Sequence, residues 1–362
     1  MSVAVQSYKA AAKQYRQAAA AFPAKKNEYI ALAEECEQKA ENGVRPVTNK
    51  SNGTSVTSGG QPARGGAANT QKAVESKAKA EEQEVEQLSV EEALARLNGL
   101  IGLSGVKAKV SSWVDQVKFF KLRQEKGLPV PDGFSYHMVF TGNPGTGKTT
   151  VARLMAQIYR SLGILQKGQL VETARNDLVA GYVGQTAPKT REVIDKALGG
   201  VLFIDEAYML KGNSSGNDFG QEAIDTVLKA MEDHRNELVV IMAGYSQPMA
   251  DLIATNSGLK SRFNTVIDFE DYTPDELYKI FFGLCKKNNY KLTAAAEKLM
   301  TDRFTELYEK RDKDFGNGRT ARNTFQAVVT HQAQRLMDKG NITEEEMITI
   351  EECDIPLTKD MK

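Results

Sequence analysis

The chain has 362 residues, 41% hydrophobic and 26% charged, with Lys+Arg and Asp+Glu equal at 47 each. That length suits two or three domains with a sizeable core, and the neutral balance excludes a global basic field for nucleic acid or an anionic membrane. No run reaches membrane-spanning length and the N-terminus has no sustained apolar core, so neither a span nor a signal peptide is expected, and the expected location is the cytoplasm.

Residues 1–42 read as a helical hairpin broken near Pro23. Tyr8, Ala12, Tyr15 and Ala19 share one face, and Tyr29, Leu32, Ala33, Cys36 and Ala40 share another. Two such helices bury little alone, which suits a module that recruits a partner. Residues 43–72 shift to Gly, Ser, Asn, Thr and Pro and read as a flexible linker, followed by a charged helical spacer over 73–88. The folded body starts near Ser89, where Ser89 and Glu92 have capping-box spacing. Within 89–272, apolar runs at 137–142, 170–174, 200–206 and 238–245 alternate with helical patterns. Near-continuous apolar strands of this kind predict a parallel sheet sandwiched by helices. After Thr273 the strand signal stops. Amphipathic helices predict a small helical domain over 273–340, then a C-terminal extension at 341–362. Cys36, Cys285 and Cys353 lack C-x-x-C spacing and read as small buried hydrophobes; His137, His234 and His331 have no metal-ligand spacing.

Gly142-Asn143-Pro144-Gly145-Thr146-Gly147-Lys148-Thr149 is a G-x-x-x-x-G-K-T loop between a strand and a helix. Glycines let backbone N–H groups turn inward to cradle phosphates, Lys148 reaches β/γ oxygens, and the Thr149 hydroxyl ligates Mg²⁺; Thr150 follows in the helix's first turn. ATP and Mg²⁺ are therefore the expected cofactors. Downstream, the apolar run 200–204 ends in Asp205-Glu206. At a strand's C-terminal edge, Asp205 would hold the Mg²⁺ shell and Glu206 would deprotonate the attacking water. The Asp-Phe-Gly at 314–316 has no kinase catalytic loop beside it and reads as coincidence.

With phosphate loop, acidic strand end and helical lid in this order, residues 89 to about 340 resemble the AAA+ ATPases, with a P-loop NTPase sheet and an AAA+ lid. "LIGLSGVKAKV", "LVAGYVGQTAPKTREVIDKALGGVLFIDEAY", "GQEAIDTVLKAMEDHRNELVVIMAGY" and "GNGRTARNTF" look like the branch of red-type Rubisco activases and stage V sporulation protein K. The N-terminal hairpin resembles part of a microtubule-interacting-and-transport domain. The AAA+ resemblance implies a homo-oligomer, a hexameric ring with ATP at its interfaces. It implies that Ile101 and Gly102 line the adenine pocket and that Arg262 is an arginine finger reaching the neighbouring subunit. It also implies that Arg319, or as second choice Arg322, is the lid arginine that reads the γ-phosphate. Tyr245 stands where sensor 1 is usually Asn or Thr; holding the attacking water and plain packing both remain open for its ring.

Between the phosphate loop and the acidic pair, "GYVG" at 181–184 holds Tyr182 and Val183 between glycines, where AAA+ remodellers place a pore loop. A ring with few rotatable bonds grips varied side chains at low entropic cost. The expected activity is ATP-driven remodelling of a protein client. The alternatives are a nucleotide-gated scaffold and a nucleic-acid-directed ATPase. The latter calls for a basic groove with several stacking aromatics, and this stretch offers one ring near Arg175 and Lys189.

Overall fold

A computed structural model describes residues 88–131, 134–211, 219–312, 315–337, 339 and 341–361, together with Arg16, Ile30 and Glu34. The chain divides into two units, Met1–Glu75 and Ser76–Lys362. In the first, Arg16, Ile30 and Glu34 are helical; the pairing of the expected hairpin, the linker and the charged spacer lie outside the described residues.

The second unit opens with α1 (Val90–Asn98) and α2 (Ser104–Glu125). The capping box at α1 forms as the sequence predicts: the Ser89 hydroxyl accepts the Glu92 N–H at 3.1 Å, and Glu92 Oε2 accepts the Ser89 N–H at 2.7 Å. Trp113 of α2 is buried, its ring edge-on to Tyr159 at 5.0 Å. Five parallel strands follow, β1 (Met138–Gly142), β2 (Leu170–Thr173), β3 (Gly200–Ile204), β4 (Leu238–Gly244) and β5 (Thr265–Phe269), in the order β2-β3-β4-β1-β5. The crossovers carry α3 (Lys148–Ser161), α4 (Arg175–Leu178), α5 (Thr186–Ala197), α6 (Gly220–Asp233), α7 (Ser246–Thr255) and α8 (Ser257–Arg262).

Every residue of β3 and β4 is buried because both sheet faces are covered. The strand period of two divides them. Val201, Phe203, Val239 and Ile241 join the cluster under α1–α3, while Leu202, Ile204, Val240 and Met242 join that under α5–α7. Strand β5 was not among the expected strands. It lies at the sheet edge and alternates: Ile267 and Phe269 are buried while Val266 is exposed, so "TVIDF" never forms a continuous apolar run.

The lid comprises α9 (Pro274–Lys287), β6 (Lys291–Leu292), α10 (Ala294–Glu309), α11 (Gly318–Met337), α12 (Glu344–Ile348) and β7 (Thr349–Ile350). Thr273 caps α9, Pro274 occupies its first position and Glu276 bonds back to the cap, a strong local start signal. Phe281 of α9 and Phe304 of α10 belong to the same apolar cluster as Phe140 of β1. Residues 341–361, within the expected C-terminal extension, fold onto the lid. β7 pairs in parallel with β6, and Asp354 is buried in a two-pronged pair with Arg335, 2.8 Å on each prong. Cys285 is buried as expected, but Cys353 is exposed.

Candidate active site

In this strand order β1 sits between β4 and β5, and the crossovers leaving the neighbouring strands β1 and β4 run in opposite directions along the sheet. Open α/β sheets bind ligands at the carboxyl ends of strands at such a reversal. The residues leaving β1, β3 and β4 there are the phosphate loop, Asp205-Glu206 and Tyr245. All of these but Asn143 and Thr146 of the loop line one cleft of about 260 Å³, together with Thr150, Arg319 and Arg322.

The loop's conformation demands its glycines. Gly147 caps α3 at φ +99°, and Gly145 stands at φ +73° with the Gly316 carbonyl 2.2 Å from where a Cβ would be. Asn143 Nδ2 donates to Asp271 Oδ1 at 2.9 Å, and the buried Thr146 hydroxyl donates to the Asn143 carbonyl at 2.8 Å. Lys148 Nζ donates to the Gly142 and Asn143 carbonyls, both at 2.8 Å. Burial pushes this ammonium below its usual pKa, against the opposing pull of Asp205 and Glu206.

Asp205 is fixed from both ends: its N–H donates to the Thr173 carbonyl at 2.8 Å, and its Oδ1 accepts the Glu206 N–H at 3.0 Å. Glu206 adopts a left-handed conformation, φ 47° and ψ 40°, which costs a residue with a Cβ about 1 kcal/mol. The short 3-10 turn Ala207–Leu210 then carries Tyr208 against Tyr245, ring centroids 5.8 Å apart. Burial, then the charges of Glu206 and Asp205 with Tyr245, raise the Tyr208 phenol.

Arg319 and Arg322, the two choices for the lid arginine, both face the cleft, one helical turn apart on α11. Ile101 and Gly102 do not line it. They lie beside it: Gly102, at φ +63°, lies against Tyr272 and Glu276, and the adjoining Leu103 reaches within 3.6 Å of a Cβ position on Gly147. Arg262 is also outside the cleft. It ends α8, where its guanidinium pairs with Glu232 at 3.1 Å.

Tyr182 and Val183 are 74% and 86% exposed, the most exposed large apolar side chains among the described residues. The loop's base is fastened. Ala180 N–H donates to Thr186, Thr190 donates to the Leu178 carbonyl, and Lys189 Nζ donates to the Asn176 and Val179 carbonyls. Arg175 of α4 donates to the Met209 carbonyl at 2.6 Å, joining the loop's base to the turn after Glu206.

Asp271, Tyr272 and Asn317 are the contributors that sequence reasoning missed. Asn317 is buried at φ +50°, and its amide donates to Asp271 Oδ1 at 2.7 Å. The signal available was "FGNG" at 315–318, an Asn-Gly punctuation that favours a left-handed turn. Phe315-Gly316 of the kinase-like triplet belongs to this turn, and Asp314 lies outside the described residues.

Residues 138–271 match the AAA family, described as ATPase family associated with various cellular activities, and residues 273–362 match the AAA lid domain. A Protein CfxQ homolog of Galdieria sulphuraria is 41% identical over 76% of this chain and 90% of its own. Stage V sporulation protein K of Bacillus subtilis (strain 168) is 39% identical over 73% of this chain and 82% of its own. The chloroplastic ribulose bisphosphate carboxylase/oxygenase activase of Cyanidioschyzon merolae is 40% identical over 75% and 93%. With a phosphate loop, an acidic pair and a lid arginine meeting in one cleft, and with relatives this similar along most of their length, the chain belongs to the AAA ATPase family, as an ATP-hydrolysing member akin to CfxQ and stage V sporulation protein K.

Proposed function

We propose that the protein is a cytoplasmic, hexameric ring motor that uses ATP hydrolysis to remodel a protein client, gripping polypeptide with Tyr182 and Val183. The observation that carries this reading is the pair of exposed apolar side chains on a firmly based loop, joined through Arg175 to the turn after Glu206. A change in that turn on hydrolysis has a short mechanical route to the loop. The nearby basic groups favour a protein client over nucleic acid, since Lys189 and Arg175 are engaged with backbone carbonyls of their own domain.

In the cleft, the N–H groups of the phosphate loop and the start of α3 hold the phosphates, and Lys148 exchanges its loop carbonyls for β/γ oxygens. Thr149 and Asp205 are the hard-oxygen pair that Mg²⁺ takes, since it keeps several waters and few protein ligands. Bound there, the ion neutralises charge on the β- and γ-phosphates. Glu206 accepts the proton of the attacking water, which Tyr245 orients through its phenol. Arg319, with Arg322 beside it, reads the γ-phosphate from the lid. Ile101 and Gly102 abut the base end of the nucleotide. Arg262 leaves Glu232 to reach the neighbouring subunit's γ-phosphate, where such fingers accelerate hydrolysis by about 10³–10⁵.

Glu206→Gln with ATP traps the closed ring, and affinity capture with mass spectrometry identifies what it holds. Adding Tyr182→Ala is expected to abolish capture, while Tyr182→Ala alone keeps wild-type ATP turnover. Undiminished capture by the double variant would refute the gripping role.

A further inference from the structure

Three consecutive carbonyls of the phosphate loop are held from the lid side. Asn317 Nδ2 donates to the Pro144 oxygen at 3.4 Å, the Gly318 N–H to the Gly145 oxygen at 3.1 Å, and the Tyr272 hydroxyl to the Thr146 oxygen at 3.2 Å. These peptides are trans. In a planar trans peptide the C=O and the following N–H point in opposite directions. Fixing carbonyls 144, 145 and 146 therefore aims the N–H groups of Gly145, Thr146 and Gly147 away from the lid residues. Successive N–H groups turned to one side make an anion-binding nest.

The donors are themselves pinned. The Asn317 side-chain oxygen accepts the Tyr272 N–H at 2.9 Å, and Asp271 Oδ1 accepts both the Asn317 amide and Asn143 of the loop. The Tyr272 ring is buried between Gly102 and Gly318, neither of which has room for a side chain there without displacing a neighbour. Burial, reinforced by Glu276, holds the phenol up at about 12, so it remains a donor throughout the neutral range.

We infer that Tyr272 and Asn317 are positioning residues that preorganise the phosphate nest, so that the lid's seat on the loop sets the affinity for β- and γ-phosphates. This rests on residues 142–149 being the phosphate-binding loop. Preorganised donors lose little freedom when the anion arrives. When the lid swings off the loop, Asn317 and Gly318 release the Pro144 and Gly145 carbonyls, Tyr272 at the lid's base loses its Asn317 anchor, and the nest loosens. Lid motion and product release then become one event.

Tyr272→Phe in the full chain keeps the ring and removes only the hydroxyl. Expected are a small fall in the unfolding midpoint with the cooperative transition kept, kcat within about twofold, and a rise of about three- to tenfold in KM for ATP, the range one net hydrogen bond spans. Inorganic tripolyphosphate, used to displace a fluorescent ADP analogue, is expected to weaken by the same factor, which lost packing around the base would not produce. Asn317→Gly keeps the left-handed backbone and removes the amide; it shifts KM the same way, and the double variant falls short of the product of the singles. Wild-type KM and tripolyphosphate binding in Tyr272→Phe would overturn the inference. Retained nucleotide binding in Lys148→Ala would instead overturn the loop assignment beneath it.

Discussion

His137 enters the sheet at the start of β1 and is almost wholly buried. Its Nδ1 accepts the Val240 N–H at 2.9 Å, and its ring lies 5.9 Å from that of Phe263. Burial first, then the Arg262 charge, push its pKa down from 6.5 to about 4. Between these values the folded protein keeps the imidazole neutral while the unfolded chain takes up a proton. The contribution to stability is therefore complete above pH 6.5, declines as pH falls through the window, and is gone below about 4. From pH 7 to pH 5 it amounts to about 2 kcal/mol. His137→Asn, whose side-chain oxygen can accept the Val240 N–H, is expected to flatten this dependence. Urea midpoints at the two pH values check it, and equal slopes in both proteins would refute the assignment.

At the scale of elements, the lid is closed by pieces too short to carry any period. β6 and β7 are two residues each, yet they bring Asp354 under α11, where Arg335 holds both of its carboxylate oxygens. Asp354→Asn is expected to destabilise the lid by about 2 kcal/mol, less than for a fully buried pair because Arg335 is partly exposed; amide exchange along α11 measures it. The contrast with β3 and β4 explains what was legible. Strands buried on both faces announce themselves as apolar runs, and the loop between β1 and α3 is spelled by the backbone it requires. Edge strand β5 and the tail at 341–361 gain their structure from neighbours rather than from their own pattern. At the site, Lys148, Asp205 and Glu206 could be read directly because their chemistry fixes their spacing. Asp271, Tyr272 and Asn317 act through geometry that emerges only when the lid meets the loop, many residues apart in the chain.

For the whole molecule, the position of Arg262 matters most. It lies outside its own cleft and pairs with Glu232, and the function proposed above makes it the finger that serves a neighbouring subunit. Subunits carrying Arg262→Ala keep an intact cleft, and subunits carrying Lys148→Ala keep an intact finger. Neither alone is expected to hydrolyse ATP appreciably, whereas equimolar mixtures should recover part of the wild-type rate. Absence of recovery at every ratio, with mixed rings verified by native mass spectrometry, would place the finger elsewhere. The left-handed backbone at Glu206 sets local stability against chemistry as well. Glycine or asparagine would rest there more comfortably than a glutamate. On backbone comfort alone glycine would be favoured at this position, so the water-activating role proposed for Glu206 accounts for an acid that the turn by itself would not select.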